Sequence, residues 1–370
     1  MAKKQRRRIG ILTGGGDCPG LNAVLRAFVK TLLCRGGFEV LGIEDGYEGL
    51  LEKRARLLWI GDVRGILTQG GTILGTSNTA NPFKVAISKA GKRAFEDRSD
   101  DALRHVREWG LEGLVTVGGD GTLHSAHRLS QKGIPILGIP KTIDNDIWGT
   151  DYTFGFNSAV AIATDAVDRL HTTAASHHRV MVLEVMGRNA GWIALHAGSA
   201  GGADIILIPE IPFRMDWVCE EVRNRAGKGM RFSIIVAAEG AFPIGGTAHI
   251  LKRDPRNPFP VKLGGIGQRL AETIERKAGI ESRAAVLGHI QRGGSPTPFD
   301  RNLGTLFGVH AAELVVRNKW DRMVSLRGQN IGSIPIRQAL KPKRVERNNA
   351  LVRGARAIGV SFGDKPCRAR

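Results

Sequence analysis

No run of apolar residues in this chain reaches the roughly 18 that a helix needs to cross a bilayer. The opening stretch MAKKQRRRIGIL also lacks the apolar core of a signal peptide. A membrane location is therefore not expected, and a cytoplasmic one is. Cysteine is scarce: the four residues Cys18, Cys34, Cys219 and Cys367 lie far apart, with no CxxC pair and no His/Cys ligand spacing. That argues against a disulfide framework and against a zinc site, and reduced thiols are expected. Tyrosine is scarcer still, at two residues, and the basic runs KKQRRR (Lys3–Arg8) and KPKR (Lys341–Arg344) have no interleaved aromatics. Both read as solvated tails, and nucleic acid is not an expected partner.

What is abundant is glycine and positive charge. The 49 glycines fall in clusters (GGG, GGDG, GGADI, GGIG, QRGGS) without a short fixed period, so collagen-like and low-complexity readings fail. They mark turns and close approaches of backbone instead. With 370 residues, 42% hydrophobic and 24% charged, the chain can build two domains with real cores and is not a disordered one. The excess of 54 Lys and Arg over 35 Asp and Glu leaves a formal charge of +19. Such a balance suits an anionic partner, whether nucleic acid, membrane surface or phosphorylated metabolite, and the sign alone does not choose among them.

Short β-branched runs recur along the chain: Ile9 to Leu12, Leu114 to Val117, Ile134 to Ile139, Val180 to Val185, Ile205 to Ile208, Ile234 to Ala237 and Ala284 to Leu287. Helical patterns separate them, as where Leu21, Val24, Leu25, Phe28, Val29, Leu32 and Leu33 repeat at the spacing of one buried face. Alternation of strand and helix predicts an α/β fold with parallel sheets covered by helices. Ligands of such sheets sit beyond the carboxyl ends of the strands, and the runs here end in GGGD, GGDGT, PKTIDND, MGRN, PE, EG and GHIQR.

Each of these endings can carry chemistry. In GGGDCPG, the glycines from Gly14 to Gly16 let backbone N–H groups turn toward an anion at a helix amino terminus; a ligand-free turn stays open on this motif alone. In GGDGT, Asp120 can hold Mg2+ against phosphates, Gly119 and Gly121 allow close approach, and Thr122 adds a hydroxyl. The alternative there is a simple D-G turn. In PKTIDND, Lys141 precedes Asp144 and Asp146. If the backbone is extended, the two carboxylates point the same way, so one can take a hydroxyl proton while the other orders charge nearby. An Asx-rich helix cap is the structural alternative. Downstream, Arg179, Arg188, Arg283, His289 and Arg292 flank apolar strands or glycine turns, and Glu239 closes IIVAAEG, where a carboxylate can accept sugar hydroxyls.

Taken together, GGGDCPGLNA, GGDGT, PKTIDND, SHHRVMVLEVMGRNAG, AAEG and LGHIQRGGSP resemble the phosphofructokinase family in order and spacing, from Ile9 to about Val315. The resemblance implies two similar Rossmann-like lobes, each a mainly parallel sheet flanked by helices. Residues 1–155 with 292–345 are expected to form a donor-binding lobe, and 156–291 with 346–370 a fructose 6-phosphate lobe. It also implies phosphoryl transfer to the 1-hydroxyl of fructose 6-phosphate in glycolysis, with Mg2+ as cofactor. Asp144 is then the base, with Thr142 and Asp146 beside it, and Asp120 is the residue for the metal. Gly15, Gly16, Gly119, Gly121, Thr122 and Lys141 belong to the donor side. Met186, Gly187 and Arg188 meet the sugar near its reacting end, and Glu239, His289 and Arg292 bind fructose 6-phosphate. Arg179 and Arg283 match arginines that reach the sugar's phosphate from a neighbouring subunit, which implies a homodimer or homotetramer.

The donor implied by the resemblance is mixed. Pyrophosphate users of the family tend to carry Asp where this chain has Gly121 and Lys where it has Lys141, whereas many ATP users carry Gly at both. Asn78 stands where an arginine often contacts ATP, and Ser125 where a glycine lets adenine pack closely. ATP is the expected donor. A pyrophosphate-dependent, reversible phosphotransferase is the alternative, and a catalytically silent basic relative the third reading.

Overall fold

The computed structural model describes residues 6–89, 92–253 and 261–366. Cys367 and the residues Lys3, Lys4 and Gln5 of the first basic run lie outside these. The chain forms two compact units. One comprises residues 1–143, 147–158 and 292–342; the other comprises 144–146, 159–291 and 343–370.

The first unit is built on an eight-stranded sheet. Its parallel heart consists, in spatial order, of strands Arg322–Arg327, Ile136–Thr142, Leu111–Gly118, Arg7–Gly14 and Phe38–Ile43. The sheet is mixed, because Asn330–Pro335 and Ala55–Leu58 pair antiparallel at its two edges. Apart from their charged or half-buried ends, the interior strands are mostly apolar and buried on both faces, as parallel strands under helices must be. Leu12, Ile43, Leu114, Leu123 and Ile136 belong to one core cluster of this unit, which buries the sheet face beneath helices Asp120–Gln131 and Ser99–Glu108. Each such side chain contributes about 1.5–3 kcal/mol by leaving water.

Helix Leu21–Arg35 lies against helix Pro298–Val316 with almost no gap. A Cβ on Gly308 would stand 2.5 Å from the carbonyl of Val24, and one on Gly304 3.0 Å from that of Gly20. Only glycine lets the backbones meet this closely, and the contact fixes the helix that follows GGGDCPG. Thr297 caps Pro298–Val316 by accepting from Asp300 N at 3.4 Å. Asp300 in turn accepts from Ser158 N at 2.7 Å and Ser158 Oγ at 2.6 Å, at the start of helix Phe156–His177. Burial pushes the Asp300 carboxyl up to about 6, although these donors pull the other way.

The second unit carries a four-stranded, wholly parallel sheet in the order Ile205–Leu207, Ser233–Ala238, Val180–Val185 and Ser282–Val286. Its core cluster includes Val182, Leu207, Ile235, Leu270 and Ile274. Helix Ile266–Ala278 covers strands Ser282–Val286 and Val180–Val185, and helix Trp192–Ala200 lies over Ser233–Ala238 and Ile205–Leu207.

The basic runs are not simply solvated tails. Arg7 and Arg8 open the first strand, where Arg7 pairs with Glu112, and Arg8 pairs with Glu39 at 2.8 Å. Lys343 of KPKR lies 5.4 Å from the centroid of the Trp192 ring and is half-buried. Among the described residues no helix is long and apolar enough to cross a membrane, and Cys18, Cys34 and Cys219 are free thiols.

Candidate active-site residues

In the first unit, Gly14 and Gly118 end two adjacent parallel strands and stand opposite each other. The Thr122 side chain is wedged against both. A Cβ on Gly14 would meet Thr122 Oγ1 at 2.9 Å, and one on Gly118 would meet Thr122 Cβ at 2.3 Å. Two glycines and one buried threonine are thus a single packing unit, held from behind by Tyr47, whose hydroxyl donates to the Thr122 carbonyl at 2.9 Å.

The loop after Gly14 is pinned through its carbonyls. Gly15, at φ +76, accepts from Thr76 Oγ1 at 2.5 Å. The Lys141 ammonium donates to the Gly16 carbonyl, and Arg292 Nη1 donates to that of Asp17 at 3.2 Å. A Cβ on Gly16 would stand 2.6 Å from Arg292 Nη1, so glycine is what lets the guanidinium lie on the loop. Two cations beside a glycine turn make a surface suited to phosphate oxygens. Arg292, read from sequence with the sugar residues, therefore lies against the glycine loop.

The two glycine turns differ in a way the sequence hides. The helix after GGGDCPG starts only at Leu21, with Gly20 at φ +108 before it, so Gly15 and Gly16 are not at a helix amino terminus. In GGDGT the helix begins at once, with Gly119 as the cap and Asp120 in the first turn. A Cβ on Gly121 would meet nothing within 4 Å. The Asp120 carboxylate is exposed, and His124, one helical turn on, places Nδ1 at 2.8 Å from Asp120 Oδ1. His124 was missed, although the D-x-x-x-H spacing on a helix could have flagged it. Asn78 is exposed, and Ser125 is buried on the inner face of the helix.

Cys18, in the loop after Gly14, is buried, and burial, the largest influence, pushes its thiol up to about 12, away from the thiolate a nucleophile needs.

Thr142 ends strand Ile136–Thr142, and its carbonyl accepts from Thr153 Oγ1 at 2.7 Å. Asp144 and Asp146 follow in the part of the chain that belongs to the second unit. The condition of an extended backbone between them is not met. Asn145 adopts φ +50, a left-handed conformation that asparagine tolerates better than most residues. Strand alternation therefore does not set the directions of the two carboxylates. The Asp146 carbonyl accepts from Lys343 N at 2.8 Å.

At the carboxyl end of the second sheet, Met186–Arg188 and Glu239–Gly240 are laced together. Glu239 N donates to Val185 O at 2.9 Å, and Gly240 N to Gly187 O at 3.1 Å. A Cβ on Gly240 would lie 2.1 Å from the Arg188 carbonyl, which explains the glycine of AAEG. His289 joins them on the turn Gly288–Arg292. Gln291 of that turn is fully buried and accepts from Met186 N at 2.7 Å. This glutamine locks the His289 turn to the Met186 strand end; sequence reasoning missed it because HIQRGG offers more reactive side chains on either side.

Arg179 and Arg283 are at the other end. Val180 pairs with Ser282 and Arg283 with Met181, at the amino ends of parallel strands. From there to Val185 the sheet rises about 16 Å at 3.3 Å per residue. Both arginines hold Glu281, at 2.7 Å from Arg179 Nε and 2.6 Å from Arg283 Nη2. Their grip, that of Arg179 foremost, keeps the Glu281 carboxyl below its usual range.

The family model described as Phosphofructokinase matches residues 8–315. The chain is 51% identical over 367 residues to the ATP-dependent 6-phosphofructokinase of Chloroflexus aggregans, covering 99% of this chain and 100% of that one. It is 50% identical over 334 residues to the pyrophosphate--fructose 6-phosphate 1-phosphotransferase of Amycolatopsis methanolica, covering 90% and 94%. Among solved structures, phosphofructokinase from Saccharomyces cerevisiae superposes with a TM-score of 0.75 at 32% identity, over 90% of this chain and 45% of the yeast chain. With the family model matched over residues 8–315 and relatives about half identical over nearly its full length, the chain belongs to the phosphofructokinase family.

Proposed function

We propose that this chain phosphorylates fructose 6-phosphate at its 1-hydroxyl, with ATP as donor, giving fructose 1,6-bisphosphate and ADP in glycolysis. The observation that carries the donor assignment is the open space at Gly121, which leaves room beside the glycine turn for a nucleotide's α-phosphate. ATP-dependent relatives of 45–51% identity, from Chloroflexus aggregans to Synechocystis, support it.

The chain's own groups divide the work. The Asp144 carboxylate accepts the proton of the 1-hydroxyl as that oxygen attacks the γ-phosphorus; the bond between the γ-phosphorus and the bridging oxygen breaks, and ADP leaves. Arg188 balances charge on the transferring group, while Glu239 and His289 orient the sugar. Among the described residues no cluster of three or more His, Cys, Asp or Glu could hold a metal by itself. The exposed Asp120 carboxylate fits Mg2+ nonetheless, because this ion takes one or two carboxylates and fills its other positions with water and phosphate. When bound there, it would neutralise charge on the donor's phosphates.

Arg179 and Arg283 lie at the amino end of their own sheet, and we assign them to the 6-phosphate of sugar bound in a neighbouring subunit of a homo-oligomer. Both substrates are phosphorylated metabolites of the cytoplasm, where we place the reaction.

A second reading rests on Lys141. Its ammonium, buried beside the Gly16 carbonyl, adds positive charge that serves pyrophosphate as well as ATP, and the Amycolatopsis methanolica relative uses pyrophosphate by name. Assaying purified protein with fructose 6-phosphate and Mg2+ against each donor, with detection of fructose 1,6-bisphosphate, separates the two. Turnover with ATP and not with pyrophosphate is expected; the reverse gives the second reading, and neither defeats both.

A further inference from the structure

The KPKR run is anchored in the second unit in a way that its charge pattern conceals. Three backbone groups of Lys343 and Val345 are tied down within the second unit. Lys343 N donates to Asp146 O at 2.8 Å, Trp192 Nε1 donates to Lys343 O at 3.3 Å, and Val345 N donates to Glu210 Oε1 at 2.9 Å. Glu210 stands just past strand Ile205–Leu207, and its carboxylate also accepts from Gly191 N at 3.1 Å; burial is the main cause of its raised pKa. Burial alternates along the anchored stretch, with Val345 buried, Lys343 half-buried and Arg344 exposed between them. The anchors therefore hold a backbone from which one arginine projects.

That arginine shares a cavity with Arg188. The cavity, about 350 Å3, lies wholly within the second unit and is lined by Arg188, Glu210, Gly240, Thr247 and Arg344, with Phe242 as an apolar wall. Among the described residues neither the Arg188 nor the Arg344 side chain is hydrogen-bonded or in a close ion pair, although the charge of Arg344 is felt by the Glu210 carboxylate. The Glu210 carboxylate is engaged by two backbone amides, so the lining keeps two guanidinium forks over one carboxylate. A planar fork matches phosphate oxygens two at a time, and two forks facing one concavity form a site for a dianion.

We propose that Arg344 acts with Arg188 to bind a phosphoryl group of the substrate or product, so that a segment read as a solvated tail is part of the sugar half of the site. This rests on the activity proposed above for its choice of ligand, but not for the chemistry of the cavity. The group bound is either the sugar's own phosphate or the one being transferred, and the two sources predict different losses on substitution.

The test compares wild type with Arg344→Ala and Arg344→Lys, and with Arg327→Ala as a control that removes an exposed positive charge from the first unit. Affinities for fructose 6-phosphate and fructose 1,6-bisphosphate are measured by calorimetry, alongside steady-state kinetics. Loss of one charge-assisted contact weakens binding by roughly tenfold to a hundredfold. A loss for both sugars identifies the sugar's own phosphate, and a loss for the bisphosphate with a fall in kcat identifies the transferred group. Arg344→Lys should recover part of either, and Arg327→Ala should match wild type. Affinities within twofold of wild type for both ligands, with unchanged kinetics, overturn the inference.

A second measurement is independent of the activity. Phenylglyoxal labelling of Arg188 and Arg344 in wild type, mapped by mass spectrometry, should be slowed by inorganic phosphate. If the protein did not turn over fructose 6-phosphate, such protection would still support the cavity as a phosphoryl site. Labelling of both arginines at rates indifferent to phosphate would overturn it.

Discussion

Arg179 and Glu281 form an ion pair of 2.7 Å at the amino end of the second sheet, at the opposite end of its strands from Arg188 and Glu239. Arg283 holds the other oxygen of the same carboxylate, so the two arginines are presented as one preassembled cationic patch. If this patch serves a neighbouring subunit, Arg179→Ala and Arg283→Ala should each raise KM for fructose 6-phosphate by about tenfold or more while leaving the donor's KM near normal. Mixing an inactive Asp144→Asn protein with an Arg283→Ala protein should then recover activity as subunits exchange. Exchange demonstrated by mass spectrometry without any recovery would place the arginines outside the shared site.

Asp144→Asn should fold and bind fructose 6-phosphate as wild type does, because the substitution keeps size and hydrogen-bonding capacity. Turnover should fall by on the order of 100-fold to 10,000-fold, the range associated with loss of a general base. Near-normal turnover in the purified variant would move the base to another residue.

The open space at Gly121 makes Gly121→Asp a clean probe of the donor, since the new side chain meets no protein atom within 4 Å of its Cβ. On the donor assignment proposed above, a carboxylate there would face the α-phosphate of ATP, and like charges about 4 Å apart at a partly desolvated site cost about 4 kcal/mol. Efficiency with ATP should drop by on the order of 100-fold or more. Pyrophosphate has no adenosine-bearing phosphate to repel, so its turnover should fall far less or become measurable for the first time. Equal losses with both donors would show that position 121 does not discriminate by charge.

Asp300 gives the stability of the protein a pH dependence with a definite sign. Its carboxyl titrates near 6 when folded, against an ordinary 3.8. Below about pH 4 both states carry the proton; between about 4 and 6 the folded state keeps it while the unfolded state loses it, and stability falls as pH rises. Above about 6 the loss is complete, at about 3 kcal/mol for a shift of about two units. Asp300→Asn cannot titrate, so the stability of wild type relative to the variant should decline between pH 4 and 7 in urea unfolding. A constant difference across that range would contradict the assignment.

Much of the fold was legible because buried parallel strands leave a strong mark. Val180 to Val185 forms a strand over those very residues, and Ile9 to Leu12, Leu114 to Val117 and Ile234 to Ala237 sit inside observed strands. Ile134 does not join the sheet with Ile136, because its N–H still bonds to Leu129 O at 3.3 Å on leaving the preceding helix. The edge strand Ala55–Leu58 and the edge hairpin Arg322–Arg327 and Asn330–Pro335 were missed, since strands with charged or polar positions look like loops to an apolar-run criterion. For the candidate site, motifs named the side chains well but not the backbone beneath them. The left-handed Asn145 and the buried hydrogen bond of Gln291 depend on packing partners distant in sequence.

The interleaving of the two units also sets a schedule for synthesis. The first unit needs strands Arg322–Arg327 and Asn330–Pro335 to finish its sheet. The second needs Val345 on Glu210, and Ser361 bonded to Asp204 and Ile206. Neither is complete when residue 291 leaves the ribosome, although by then both main sheets have most of their strands. At about 5–20 residues per second, the emerging chain spends seconds with two nearly assembled sheets whose closing segments are still being made. During that time the unfinished edges are exposed, and cutting the gene at a unit boundary would leave that exposure permanent.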